Sequence, residues 1–287
     1  MDNSELIVNK DGSICHLHTR PEDLADTILL VGDQGRVEMI SKHFDRIELK
    51  ISNREFITHT GHIGHKRITV MSTGIGTDNI DIVLNELDAT VNMDLNARTF
   101  KQDRKSLNLI RLGTTGALHK DIPVGALVLS EFGLGLDGLI HHYNYRPSTG
   151  EFNLQQAIIE HLNWDSKLPE PYIVGSNQEL LSQFQDQTIK GITATASGFY
   201  GPQGRSIYLS PRYPEIEEML QTFHMDGHRI TNFEMETSAL YGLAKLLGHR
   251  ACTCCVVLAN RLTGDYASDH RKAVEKMIRY VLERIAQ

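Results

Sequence analysis

Short, almost uniformly apolar runs that alternate with amphipathic stretches are the feature that most limits what this chain can fold into. Most of these runs lack the polar alternation of a half-solvated sheet, so they predict strands that are covered on both faces. Apolar residues at helical spacing predict helices after residue 79, around 240–247 and at 274–285. The predicted strands lie at residues 27–32, 67–74, 107–113, 125–131, 191–197 and 252–260. The pattern is typical of an α/β fold.

The chain shows no linker, internal repeat or low-complexity tract, so we expect a single domain over residues 1–287. The polar segment at residues 92–106 is expected to be an elaborated surface connection. Residues 146–171 are expected to be similarly loose.

Composition and charge argue against two broad classes of protein. No apolar run approaches the roughly 18 residues of a membrane span, and the first residues lack the apolar core of a signal peptide. The formal charge of −7 argues against a broad nucleic-acid-binding surface, although a small anion pocket is compatible with it. Cys15, Cys252, Cys254 and Cys255 match neither a zinc site nor a C-x-x-C motif. We therefore expect free thiols and a cytoplasmic protein.

Five predicted strand ends carry glycine together with polar or charged residues. In covered α/β sheets, ligands bind where loops leave the carboxyl ends of the strands. The five segments are GDQGR, STGIGTDN, RLGTTGA, ASGFYGPQGR and ANRLTGDY. Their number predicts one shared binding site at that edge of the sheet.

Two of these loops indicate an anion site. GDQGR has neither the Walker spacing nor G-x-G-x-x-G, but Gly32 exposes backbone N–H groups and Arg36 offers a bidentate donor. The alternative is that Gly32 only turns the chain and Arg36 lies on a solvated helix face. Arg111 lies inside an apolar strand, where an unpaired charge is costly. It needs an acidic partner or an anionic ligand, and Thr114 and Thr115 follow it as hydroxyl donors.

Glu234 and Glu236 lie two residues apart at the start of a predicted helix. Inside a helix they would point about 200° apart, whereas in extended chain one can face a pocket while the other is structural. A pocket carboxylate suits a ribose diol, and the alternative is that both carboxylates only complement the helix dipole. A metal interpretation of His59, His62 and His65 is disfavoured, because their spacing splits the rings between faces.

The segments VGDQGRVEMI, STGIG, IRLGTTGAL, FYGPQGR, NFEMETSAL and ANR, in this order, resemble the uridine phosphorylase branch of the nucleoside phosphorylase family. The match runs from about His16 to the C-terminal helix. The resemblance implies a single-domain three-layer α/β/α sandwich with a mixed central sheet. It also implies reversible phosphorolysis of uridine, with deoxyuridine as a second substrate, to uracil and ribose 1-phosphate in pyrimidine salvage. No cofactor is implied, since inorganic phosphate is the co-substrate.

The same resemblance implies roles for individual residues. The residues expected to be catalytic are Arg36, Arg111, Arg205 and Glu236. Phosphate is expected to bind Gly32, Arg36, Arg111, Thr114 and, from a neighbouring subunit, Arg54. Ribose is expected to bind Thr114, Glu234, Met235, Glu236 and, across the subunit boundary, His16. The base is expected to bind Phe199, Gln203, Arg205 and Arg261.

Two departures from the family pattern concern assembly. Thr77-Asp78-Asn79 replace the usual Gly-Pro-Ser of a subunit-facing loop, so that loop must pack differently. The connection at 92–106 is longer than in typical bacterial members and lies where it could block the joining of dimers into hexamers. The resemblance implies a homodimer with shared active sites and a monovalent cation, K⁺, at Glu55 of the interface. It leaves open whether dimers assemble further.

Other functions remain as alternatives. In purine nucleoside phosphorylases an aspartate serves the purine ring near the position where this chain has Arg261. A nucleosidase that uses water would not need both Arg36 and Arg111. A non-catalytic nucleoside-binding protein is disfavoured, because every motif position expected to matter is filled.

Overall fold

Strands and helices alternate along the described part of the chain, which is residue 2 and residues 4–286 of a computed structural model. The N-terminal part contains β1 (Thr27–Val31), α1 (Gln34–Ser41), β2 (Arg46–Asn53), β3 (Phe56–Ile63), β4 (Lys66–Ser72), α2 (Thr77–Asn92), β5 (Met93–Asp94), β6 (Thr99–Phe100) and β7 (Asn108–Ala117). The C-terminal part contains β8 (Leu127–Gly135), α3 (Thr149–Leu162), β9 (Tyr172–Gly175), α4 (Gln178–Ser182), β10 (Thr188–Thr195), α5 (Ile216–Gln221), β11 (His224–Met225), β12 (His228–Glu234), α6 (Thr237–Leu247), β13 (Arg250–Asn260) and α7 (His270–Ile285). Among these described residues, no helix has the length and apolar character needed to cross a bilayer.

Most of the strands join one mixed sheet. Its hydrogen-bonded order is β11-β12-β10-β8-β13-β7-β1-β4-β3-β2, and β9 pairs with β8. Strand β1 pairs in parallel with β4 and β7, whereas β3 pairs in antiparallel fashion with β2 and β4. The predicted α/β fold with a mixed central sheet is confirmed, and all six predicted strands are present.

One half of this sheet closes on itself. Strand β12 pairs in parallel with β10, and its last residues also pair with the end of β7, where Phe233 lies opposite Gly116. Strands β7, β13, β8, β10 and β12 are therefore joined in a ring of backbone hydrogen bonds. The ring brings the ends of β7 and β12 side by side.

Helices cover both faces of the sheet. Along β1, Leu29 and Val31 pack in a buried cluster with residues of α1 and α7. Ile28 and Leu30 point to the opposite face and pack in a cluster with residues of α2 and α6. Successive side chains of a strand alternate between faces, so the apolar runs are buried on both sides as predicted. The expected three layers are confirmed.

The expectation of a loose segment at residues 146–171 is wrong, because this segment contains α3. The helix begins at a capping box, in which the Ser148 Oγ accepts from the Glu151 N–H and the Glu151 carboxylate accepts from the Ser148 N–H. Leu154 and Ile158 bury its inner face. The buried face of α3 also carries the polar residues Glu151 and Gln155, which obscure its apolar periodicity.

The connection at 92–106 is a small antiparallel hairpin of β5 and β6. Asn92 anchors its far end, since its side-chain amide donates to the Lys105 carbonyl at 3.0 Å and its side-chain oxygen accepts from the Lys105 N–H at 2.6 Å. Thr77–Asn79, expected as a loop, form the first turn of α2. Gly76 precedes that turn with a φ of 98°, a conformation that favours glycine.

Candidate active site

A cavity of about 860 Å³ opens at the carboxyl ends of the strands. All five glycine-bearing loops identified in the sequence contribute to its lining. The predicted site residues that line it are Gly32, Arg36, Glu55, Arg111, Thr114, Phe199, Gln203, Arg205, Glu234, Met235 and Glu236. Arg54, His16 and Arg261 lie outside this lining.

Arg111 lies on β7 and is almost completely buried. Its Nη2 donates to the carboxylate of Glu236, and its Nη1 lies 3.4 Å from Oε2 of Glu234. Although burial alone would lower it, these two carboxylates raise the pKa of Arg111. The acidic partner that the sequence required is therefore present, and the guanidinium still faces the cavity.

Arg36 lies in the first turn of α1, and its Nη1 donates to the Leu112 carbonyl at 3.0 Å. Burial and the nearby Arg111 guanidinium lower the pKa of Arg36. Asp33 caps the same helix by accepting from the Gly35 N–H. Two neighbouring guanidiniums at the start of a helix make this wall of the cavity suited to an anion.

The two carboxylates from β12 and α6 differ in their surroundings. Glu234 ends β12 and accepts from the Thr195 hydroxyl and from the N–H groups of Glu236 and Thr237, so it stabilises the start of α6. Glu236 precedes α6 in a non-helical conformation and accepts from the Gly76 N–H at 2.9 Å. Burial, together with the neighbouring Glu234 carboxylate, raises the pKa of Glu236, and the Arg111 guanidinium opposes that rise. Two carboxylates thus share one guanidinium.

Gln203 occupies a different wall of the cavity, in a short 3-10 turn at Gly201–Gln203. Its side-chain oxygen accepts from Nη1 of Arg205 at 2.5 Å and from Nη1 of Arg261 at 3.4 Å. The Arg205 guanidinium lies over the Phe199 ring, 3.9 Å from its centroid. Because both arginines bind the oxygen, the Gln203 NH₂ group remains as a donor.

Arg261 lies behind this wall and not on the cavity surface. It donates to the Gln203 backbone carbonyl at 2.8 Å and forms an ion pair with Glu217. Burial and the nearby Arg205 lower the pKa of Arg261 to about 10, and it remains charged at neutral pH. Arg261 therefore supports the position of Gln203.

Arg54 and His16 do not line the cavity of their own chain. Arg54 is exposed at a β-turn with a φ of 53°, and its carbonyl accepts from the Gln34 side chain. The Nδ1 of His16 lies 2.5 Å from Oε1 of Glu86, which also accepts the His16 backbone N–H. Their assignment to a neighbouring subunit stays a prediction, as does the cation at Glu55.

Within the described residues, Cys15, His16 and Glu86 form the one group of side chains whose potential metal-ligand atoms converge. Two ligands of one tetrahedral zinc ion lie about 3 Å or more apart, given bond lengths of roughly 2 Å. The 2.5 Å separation of His16 and Glu86 is instead that of a hydrogen bond. Glu86 orients the histidine.

Several residues at the site had no individual role assigned from the sequence. Asn79 and Tyr266 lie in two of the glycine-bearing segments and Phe233 adjoins Glu234, but only the structure shows that these three residues line the cavity. Glu217 pairs with Arg261 although the two are far apart in sequence. Thr115, which the sequence predicted as a hydroxyl donor beside Thr114, also lines the cavity, and its hydroxyl donates to the Phe233 carbonyl.

A family model described as the phosphorylase superfamily matches residues 26–287. The chain belongs to the phosphorylase superfamily. It is similar to the uridine phosphorylase of Thermococcus kodakarensis, at 33% identity over 270 residues that cover 93% of this chain and 83% of the relative. The uridine phosphorylase of Haemophilus influenzae is 28% identical over 283 residues, covering 94% of this chain and 96% of the relative.

Among solved structures, the chain is similar to a Trypanosoma brucei nucleoside phosphorylase described as showing uridine phosphorylase activity. The two share 30% identity and a TM-score of 0.87, over 97% of this chain and 98% of that one. The family resemblance and fold read from the sequence motifs are confirmed. Within the phosphorylase superfamily, the cavity described above is the candidate active site.

Proposed function

We propose that this chain is a uridine phosphorylase, which converts uridine and inorganic phosphate reversibly to uracil and ribose 1-phosphate. The observation that carries the proposal is that one cavity is lined by two cations, a carboxylate and a polar pair. These are Arg36 and Arg111, Glu236, and Gln203 with Arg205. The cavity thus offers cations for phosphate, a carboxylate for ribose hydroxyls and donors for uracil carbonyls. The similarity to named uridine phosphorylases supports the same activity.

Phosphate binds the wall formed by Arg36 and Arg111. The Gly32 backbone and the Thr114 hydroxyl, which line the same cavity, add donors. Burial and repulsion from the Arg111 guanidinium lower the pKa of Arg36, and a bound dianion relieves that repulsion. It also competes with Glu236 for Arg111, and so leaves the carboxylate free for the sugar.

The reaction exchanges one bond at C1′ of the ribose. As the bond from C1′ to N1 of uracil breaks, its electron pair leaves with the base, and a phosphate oxygen forms the new bond to C1′. The proton that hydrogen phosphate loses neutralises the uracil anion. Glu236 accepts from the ribose hydroxyls and Met235 packs against the sugar. Arg205 and Gln203 stabilise the charge that grows on the uracil carbonyls, beside the Phe199 ring. Preorganised charge and positioning accelerate the step without a covalent enzyme intermediate.

The active form in this proposal is a homodimer with shared sites. Arg54 and His16 lie outside their own cavity, in keeping with a role in the cavity of the partner. A monovalent cation, K⁺, binds at Glu55 near the same interface. The hairpin of β5 and β6 limits further assembly into hexamers. All four cysteines are free, which supports a cytoplasmic location and a role in pyrimidine salvage.

The test is an assay of base release from uridine, thymidine and inosine, each with and without inorganic phosphate. We expect uracil from uridine only when phosphate is present, together with ribose 1-phosphate. Release without phosphate would indicate a hydrolase, and preference for inosine a purine nucleoside phosphorylase. Binding of uridine with no release of base under either condition would indicate a non-catalytic nucleoside-binding protein.

A further inference from the structure

The Arg111 side chain reaches the cavity by passing over Gly113. Both residues lie on the same face of β7, because residues two apart in a strand share a face. A Cβ atom built on Gly113 would overlap Nη1 of Arg111 and would lie 3.1 Å from its Cζ. The space above Gly113 is therefore occupied by the guanidinium itself.

The space above Gly113 that holds the Arg111 guanidinium, which we call its seat, is bordered on the other side by Cys255. In the parallel pairing of β13 with β7, Cys255 lies directly beside Gly113. Its Sγ is 3.8 Å from Nη1 of Arg111 and would be 2.6 Å from a Cβ on Gly113. Burial raises the pKa of the Cys255 thiol to about 12, so a neutral sulfur packs against the guanidinium at neutral pH.

The guanidinium has little freedom to lie elsewhere. The Arg111 side chain is only 6% exposed; Glu236 contacts its Nη2, and Glu234 lies 3.4 Å from Nη1, the nitrogen that faces Cys255. Gly113 is not among the glycines with positive φ, so its backbone conformation is open to alanine. Glycine is needed here for space and not for backbone freedom.

We propose that Gly113 is a positioning residue for phosphorolysis, because its missing side chain leaves the seat that holds the Arg111 guanidinium against Cys255. The inference rests on the proposed function, in which Arg111 binds phosphate. A side chain at position 113 pushes the guanidinium off this seat, although every cavity-lining residue is unchanged.

The experiment compares Gly113→Ala with the unchanged protein in steady-state kinetics and in calorimetric binding of inorganic phosphate. We expect kcat/KM for phosphate to fall by about a hundredfold, the effect of roughly 1 Å misplacement of a reacting group. The KM for uridine should change much less. Gly175→Ala is the matched control, because a Cβ there would lie 3.5 Å from Phe132, an ordinary contact.

A second substitution tests the geometry. Cys255→Ala removes the sulfur beside the guanidinium and lets it move away from a methyl group at position 113. The double variant Gly113→Ala/Cys255→Ala should therefore have a phosphate kcat/KM at least tenfold higher than that of Gly113→Ala. If Gly113→Ala does not fold, Cys255→Val narrows the same seat from β13, because valine is larger than cysteine, and should raise the KM for phosphate selectively.

Three results would overturn the inference. They are wild-type phosphate kinetics in Gly113→Ala, equal losses for phosphate and uridine with no recovery in the double variant, and unselective effects of Cys255→Val. A wild-type protein that releases uracil without phosphate would instead refute the proposed function. The two failures are therefore distinguishable.

Discussion

The guanidinium of Arg111 and the carboxylate of Glu236 form a buried ion pair between β7 and the start of α6. In the proposed reaction these two groups serve different substrates, Arg111 the phosphate and Glu236 the ribose. Phosphate therefore competes with Glu236 for Arg111 and frees the carboxylate. Ribose competes with Arg111 for Glu236 and frees the guanidinium. Binding of phosphate and binding of nucleoside are expected to assist one another.

Glu236→Gln should weaken nucleoside binding and catalysis while sparing phosphate. The amide keeps the size of the side chain but accepts more weakly from the ribose hydroxyls and holds Arg111 less firmly. We expect kcat with uridine to fall by a factor on the order of a hundred, with phosphate affinity unchanged or improved. Kinetics with each substrate varied, and calorimetry of phosphate alone, measure this. Loss of phosphate affinity in the variant would contradict the division of roles.

Gln203→Ala should impair recognition of uracil. The change removes the NH₂ donor that faces the cavity and the oxygen that Arg205 and Arg261 bind. A lost hydrogen bond to the base costs about 1–3 kcal/mol, so the KM for uridine should rise roughly tenfold to a hundredfold while that for phosphate stays the same. Gln183→Ala, at an exposed position, is the control. Unchanged uridine affinity would exclude Gln203 from the base site.

Mixing inactive variants should reveal shared active sites. Arg111→Ala and Arg54→Ala are each expected to lose phosphorolysis. If Arg54 acts in the partner's cavity, dimers that contain one copy of each variant regain one intact site, and random mixing restores about a quarter of the sites. Activity is measured after the two proteins are unfolded and refolded together.

The matched control for this mixture is Arg111→Ala with Arg36→Ala, since both residues line the cavity of the same chain. No site in such a mixed dimer is intact, so activity should stay at the level of the variants. Equal recovery in both mixtures, or none in either, would argue against a contribution of Arg54 across the interface.

Glu151 should make the protein sensitive to acid. Burial opposes its ionisation, but hydrogen bonds from the Gly175 N–H, Lys245 and Ser148 lower the pKa of Glu151 from 4.5 to about 2. The ionised form therefore stabilises the fold above pH 4.5, and this contribution is lost as the pH falls toward 2. Glu151→Gln should reduce the free energy of unfolding at pH 7 by about 2–3 kcal/mol.

Denaturant unfolding at several pH values measures this effect. The difference between Glu151→Gln and wild type should shrink steadily below pH 4.5, where the wild-type carboxylate begins to lose its advantage. Glu160→Gln, at an exposed position of the same helix, should show no such trend. A difference that stays constant with pH would show that packing, and not the charge, is responsible.

Residues that break a local pattern could be placed from the sequence. Arg111 stood out because a cation in an apolar strand requires a partner, and Glu234 and Glu236 because a helix could not hold both on one side. Each such conflict can be detected within a few residues. The pairing of Glu217 with Arg261, and the seat that Cys255 and Gly113 form for Arg111, depend on strand register and on contacts between distant segments. No periodicity within one segment encodes them.

The ring formed by β7, β13, β8, β10 and β12 has a consequence for how the enzyme can move. Glu234 ends β12, and Arg111 projects from β7, so both belong to strands bonded along their two edges. A hinge motion between them would have to break the backbone hydrogen bonds of several strand pairs at once. We therefore expect the irregular segments around the cavity opening to move when substrates bind and leave. The strands that carry Arg111 and Glu234 should keep their positions during turnover.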